Sequence, residues 1–141
     1  MRLSILAATL ALVTASGSAA LAGPTEDLAK SRVDAIAGGD LATVTAAYGP
    51  AATLHWVGGP LDGTYSQPGK IKEVWSKFFA AQGAQKATIA TAAEAANPKG
   101  GTVTVEATFA GKNTVKVRYV LLYRDGKLVD EIWQVNPAAT Y

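Results

Sequence analysis

The chain has no cysteine, one histidine and one methionine in its 141 residues. Without cysteine there is no disulfide, no thiol nucleophile and no thiolate metal site. With His55 as its single histidine, the chain also lacks the nitrogen ligands that zinc needs, so no metal is expected. Charge is sparse as well, at 17% of residues and a net +2. Nothing gathers the basic stripe that phosphate neutralisation requires, which excludes nucleic acid as a partner. There is no G-x-S-x-G and no HExxH, and the glycines between Gly63 and Lys70 miss the P-loop spacing. The one markedly apolar run, Leu3 to Val13, is short for a bilayer span.

That run has a different reading. Met1-Arg2 is a short positive start, and residues 16 to 22 are rich in small residues. Ala20-Leu21-Ala22 fits an A-x-A cleavage pattern. The three-part layout predicts a secretory signal peptide over residues 1–22, with an uncleaved membrane anchor as the alternative. No cysteine is present for a lipid anchor. About 119 residues, 23–141, would remain as one domain, enough for a hydrophobic core without staples. The alanine-rich composition suggests a bacterial source, and hence a periplasmic or secreted destination with no membrane contact after cleavage.

Within 23–141 the apolar periodicity predicts three helices. Leu28, Ala29, Val33, Ile36 and Ala37 form a helical stripe over residues 24–37, closed by Gly38-Gly39. Asp40 can cap a second helix reaching about Tyr48. Ile71, Val74, Trp75, Phe78 and Phe79 mark a third, with Ser66 or Gln67 as cap and Gly83 as its end. A strand over Ala52 to Val57 and a short one near Thr64-Tyr65 separate the second and third helices. The remainder reads as strands. Thr102 to Ala110 alternates strictly, with Val103, Val105, Ala107 and Phe109 on one face. Asp125-Gly126 is a hairpin turn between Val115–Arg124 and Lys127–Val135. The class is α+β, with the sheet folded over the helices.

The stretch AIAGGDLATVTAAYGPAATLHWVGGPLDGTY, residues 35–65, resembles the nuclear transport factor 2-like superfamily, which includes ketosteroid isomerases and SnoaL-like polyketide cyclases. The points of resemblance are Gly39-Asp40-Leu41, then Tyr48, Ala52-Thr53 and Gly63-Thr64-Tyr65. The ending RDGKLVDEIWQV resembles the last hairpin of the superfamily. The resemblance implies three helices packed on a strongly curved, mostly antiparallel sheet, forming a cone with a central pocket. It also implies dimers through the outer sheet face and function without cofactors. In ketosteroid isomerases a strand carboxylate and a first-helix tyrosine carry the chemistry. Their positions fall here at Trp56 and near Arg32, so that mechanism is not expected.

Three residues are candidates for acid–base chemistry: His55, Asp130 and Tyr119. His55 has an imidazole suited to proton transfer, but alternation sends Leu54 and Trp56 one way and Thr53, His55 and Val57 the other. Either side can be the inner one. A two-residue turn at Asp125-Gly126 sets Arg118 opposite Trp133 and Val120 opposite Glu131. It leaves Val117, Tyr119, Leu121, Leu128, Asp130 and Ile132 together on the more apolar face, assigned to the helices. Asp130 is then a pocket carboxylate or a solvated one at the rim. Arg118, Glu131 and Trp133 fall on the opposite face and read as interface residues. A β-bulge would swap these faces. Trp56, Trp75, Tyr119 and Tyr48 are the expected ligand contacts.

Three functions are compatible with this reading. The first is binding of a small apolar or aromatic molecule by an exported homodimer. The second is a cofactor-independent isomerase, cyclase or hydrolase, which requires His55, Asp130 and Tyr119 to converge. The third is a ligand-free structural dimer. A centre filled entirely by Trp56, Trp75, Phe79 and Tyr119 would exclude the first.

Overall fold

A computed structural model describes residues 23–141. Residues 1–22, where the signal peptide is read, lie outside the described residues. The helices are α1 (Pro24–Ala37), α2 (Leu41–Ala46) and α3 (Pro68–Gln82). The strands are β1 (Tyr48–Val57), β2 (Gly63–Tyr65), β3 (Lys86–Asn97), β4 (Gly100–Ala110), β5 (Thr114–Arg124) and β6 (Lys127–Val135). They form one open sheet in the order β2-β1-β6-β5-β4-β3. Every neighbouring pair is antiparallel except β1 and β6, which run parallel. The last strand therefore lies beside the first, and the helices cover the face they share.

Pro24 opens α1 with a preset φ and no N–H to satisfy, and Glu26 and Asp27 occupy its first turn. Ala29, Val33 and Ile36 are fully buried, whereas Leu28 is 41% exposed. The core-facing stripe is thus rotated from the one expected, and Arg32 is part of it. Asp40 caps α2 as anticipated, its carboxylate accepting the Thr43 N–H at 3.1 Å. In α3 the cap residue Gln67 makes no side-chain bond. Ile71, Val74, Trp75 and Phe78 are buried, and Phe79 packs partly exposed beside them.

The strict alternation of β4 is realised, with Val103, Val105, Ala107 and Phe109 buried. In β5 the inner residues are Val117, Tyr119, Leu121 and Tyr123. In β6 a bulge changes the phase. Arg124 pairs with Lys127 and Tyr123 with Leu128, but Leu122 pairs with Asp130, Leu121 with Glu131 and Tyr119 with Trp133. Val129 is the extra residue. Beyond it Glu131 and Trp133 point to the helices, and Asp130 and Ile132 point away. This overturns the facing expected from the turn alone.

The space between sheet and helices is largely filled. Trp133 is fully buried, with the rings of Trp56, Trp75, Phe78, Phe109 and Tyr119 centred 5.0–5.4 Å away. Most of these pairs meet edge to face, the arrangement the ring quadrupole favours. Trp133 and its neighbours thus occupy the expected centre, but Trp56, Trp75, Phe79 and Tyr119 do not fill the whole space, and among the described residues a pocket remains beside Trp56 and Phe78.

Candidate functional site

The inner face carries a fully buried charged constellation. Arg32 from α1 reaches Glu131 on β6, Nε to Oε2 at 3.2 Å and Nη2 to Oε1 at 3.3 Å. Their side chains are 2% and 0% exposed. Arg32 Nε also donates to the Tyr119 hydroxyl at 2.6 Å, Nη1 to the Val44 carbonyl at 2.8 Å and Nη2 to the Tyr48 hydroxyl at 2.7 Å. Tyr119 and Tyr48 each donate their hydroxyl hydrogen to Glu131. Trp75 Nε1 donates to the Tyr48 oxygen at 2.7 Å. The guanidinium lies 4.7 Å from the Tyr48 ring centroid and 5.7 Å from that of Trp75.

An ion pair removed from water is tolerable only when its remaining hydrogen-bonding capacity is largely used, and here all but one Nη1 hydrogen of Arg32 has a partner. Burial is the largest single influence and opposes the charge on Arg32, but Glu131, Tyr119 and Tyr48 together outweigh it and hold the guanidinium protonated. Burial, reinforced by the Glu131 charge, pushes both phenols of Tyr119 and Tyr48 well up, so they stay protonated donors. Tyr123, nearby on β5, is raised by burial to about 12. Each of Arg32, Glu131, Tyr119 and Tyr48 is bonded to another member of the network.

The apolar opening lies at the other end of the aromatic cluster. A pocket of about 380 Å³ is bounded by Trp56, Leu61, Phe78, Ala81, Val115 and Val135. Its polar groups are Lys77, Gln82 and Asn113, and no Asp, Glu or His lines it. Gly58 and Gly59 shape one wall with φ of 92° and 73°, a conformation that disfavours side chains. The Asp62 carboxylate fixes that turn by accepting the Gly58 N–H at 2.7 Å. On the opposite wall the buried Gln82 amide donates to the Asn113 carbonyl at 3.0 Å, and Lys112 N–H donates to the Gln82 carbonyl at 2.8 Å. These bonds tie the end of α3 to the β4–β5 turn. A second hollow of about 310 Å³, including Ala95, Lys99, Gly101 and Arg124, is built almost wholly from the β3–β4 hairpin and has no aromatic wall.

The three acid–base candidates do not converge. His55 and Asp130 meet on the outer sheet face, Nε2 to Oδ1 at 3.2 Å, with His55 Nδ1 3.3 Å from the Thr64 hydroxyl. Tyr119 lies on the inner face. Asp130 is thus not the core-facing carboxylate; the bulge gives that place to Glu131. Glu131 and Trp133 are correspondingly not on the outer face, being 1% and 0% exposed, while Arg118 is exposed there. Of the expected ligand contacts, Trp56 lines the apolar pocket. Trp75 and Tyr119 are buried in the core, and Tyr48 borders a separate hollow with Pro50, Pro68 and Ile71. Arg32 had a legible signal: it is a charge set among Ala29, Val33 and Ile36 on the buried side of α1.

A SnoaL-like domain model matches residues 29–131. No curated protein matches the chain significantly. Among solved structures, a protein from Xanthomonas campestris assigned as a calcium/calmodulin-dependent protein kinase II association domain superposes with a TM-score of 0.66 at 18% identity, over 82% of this chain and 87% of that one. A cystatin-like-fold protein of unknown function from Methylobium petroleophilum gives 0.64 at 16% identity, over 82% and 78%. A protein from Sinorhizobium meliloti assigned as a polyketide cyclase gives 0.58 at 15% identity, over 77% and 94%. At these identities the superpositions speak for the fold. The family match spans most of the chain, and with the helix-covered open sheet it places the protein in the SnoaL-like domain family of the nuclear transport factor 2-like superfamily.

Proposed function

We propose that the protein is an exported binding protein for a small apolar or aromatic molecule, held in the pocket beside Trp56 and Phe78. The observation that carries this reading is the pocket's lining: aromatic and aliphatic walls, three polar side chains, and no carboxylate or imidazole. Ligand sites are typically apolar concavities with a few orienting polar groups, and 380 Å³ lies in the range they occupy. Proton transfer needs a titratable base within reach of the reacting atom, so the same lining favours binding over the isomerase, cyclase or hydrolase alternative. Export rests on the layout of residues 1–22, with a bacterial periplasm or medium as the destination.

The homodimer belongs to the same proposal. The outer sheet face carries Val57 and Ile132, 41% and 38% exposed, beside half-buried Val120 and Leu122. A second copy would cover it, with Arg118 in the contact and His55 and Asp130 close by.

The ligand reading is tested with a fluorescent apolar probe, 1-anilinonaphthalene-8-sulfonate. Saturable binding is expected, abolished by Ala81→Phe, which fills the pocket, and retained in Thr102→Phe on the outer face. Equal binding by both variants would overturn the site.

A further inference from the structure

α1 begins without the cap its sequence ought to supply. Gly23 sits at the N-cap with extended backbone and no side chain to accept an N–H. The acceptor comes from a distant strand instead. Glu94, on β3, accepts the Glu26 N–H at 2.6 Å. Glu94 pairs with the buried Val103, so its side chain lies on the helix-covered face and meets the start of α1.

The carboxylate also occupies the space a side chain at position 23 would take. A Cβ built on Gly23 would fall on the Glu94 carboxyl group. A Cβ is about 2.5 Å from its own backbone nitrogen, so the Gly23 nitrogen lies within about 5 Å of that carboxylate. Gly23 is also the first residue after the Ala20-Leu21-Ala22 cleavage pattern. An alanine or any larger residue at this position would push the carboxylate off the helix.

We propose that Glu94 is the receptor for the processed N-terminus of this chain. The inference rests on the export reading. Hydrolysis of the Ala22–Gly23 amide by an export peptidase breaks that C–N bond. Water supplies the hydroxyl that completes the Ala22 carboxylate and the hydrogen that completes the Gly23 amine, which takes up a proton at neutral pH. The resulting ammonium would stand at the positive end of the α1 dipole, where alone it would be repelled. Glu94 offsets both charges and fastens α1 to β3. The other charged groups at this helix start are Glu26, already paired with Lys30 at 2.6 Å, and Asp27. From β4 the neighbour is Gly101, against Thr25, which adds no charge.

The test compares purified chains starting at Gly23 with chains starting at Gly17, each with Glu94 or Glu94→Gln. The glutamine keeps an acceptor for the Glu26 N–H and removes only the charge. At pH 6.5 the Gly23 chain should melt about 3 °C above the Gly17 chain, and this advantage should vanish in Glu94→Gln. An ammonium stabilised by a carboxylate has a raised pKa. Its stabilisation is complete below the ordinary α-amine range, near about 8, and is lost as pH rises through the raised value. The advantage should therefore outlast pH 8 and disappear above it. Equal melting of the Gly23 and Gly17 chains, or an advantage that persists in Glu94→Gln, would overturn the pairing. N-terminal sequencing of the protein recovered outside the cytoplasm should begin at Gly23. Another first residue would overturn the cleavage position. Uncleaved protein retained in the cytoplasm would overturn the export reading itself, with the melting comparison still judging the contact.

Discussion

Arg32 and Glu131, 99 positions apart in sequence, form an ion pair at 3.2 Å in the interior of the fold. The pair fastens α1 to β6, and Tyr48, Tyr119 and Trp75 complete it. Removing one partner strands the other in a place without water. Glu131→Leu is expected to lower unfolding free energy by about 3–5 kcal/mol. Arg32→Met combined with Glu131→Leu should recover part of that loss, because neither charge is then buried although the Tyr119 hydroxyl and Val44 carbonyl lose these partners. Urea unfolding of the three proteins checks this. A double variant as unstable as Glu131→Leu would show that the pair contributes more than mutual compensation.

Alkaline titration should separate the tyrosines. Tyr48 and Tyr119 are raised by burial beyond the ordinary phenol range, and Tyr123 to about 12. A raised phenol holds its proton more tightly folded than unfolded, so its stabilising contribution is complete below the unfolded value, about 10. It is lost as pH climbs through the folded value. Stability should decline above about pH 10 by up to about 1.4 kcal/mol per pH unit for each such tyrosine. Phenolate absorbance tracked beside circular dichroism is the measurement. Full ionisation of all the tyrosines near pH 10 with the fold intact would contradict it.

Trp133 is a core residue, and its replacement should act on stability. Trp133→Ala is expected to cost about 3–5 kcal/mol, since five rings lose their common neighbour. Denaturant midpoints give the value. A loss below about 1 kcal/mol would mean the cluster repacks around the void.

Association through the outer sheet face should depend on Ile132 rather than Trp133. Ile132→Asp places a charge in the middle of the proposed contact and should give a monomer at micromolar concentration with an unchanged melting profile in dilute solution. Sedimentation velocity decides. A wild-type chain that sediments as a monomer would end the dimer proposal.

Much of the fold was legible because its signals are local. The helix over 24–37 is written in the spacing of Ala29, Val33 and Ile36, and β4 in the alternation from Val103 to Phe109. The site was less legible. In the last strand Leu128, Asp130 and Ile132 make one face, and Val129, Glu131 and Trp133 the other. Each has two apolar residues and one carboxylate, so composition does not choose between them. The choice is made by partners far away in sequence: Arg32 for Glu131, the aromatic cluster for Trp133, and His55 for Asp130. Arg32 itself stood in an apolar stripe, and a charge there calls for a buried counter-charge.

Val129 gives the last strand a parity. Up to Leu128 one set of alternate positions faces the helices, and after it the other set does. Removing that single residue would leave the composition of β6 nearly untouched while reversing the assignment of everything downstream. Asp130 and Ile132 would turn inward, Glu131 and Trp133 would turn to solvent, and Arg32 would confront a carboxylate one methylene shorter. The two readings of this strand differ by one step of the chain, so a length change here alters the interior more drastically than most substitutions within it.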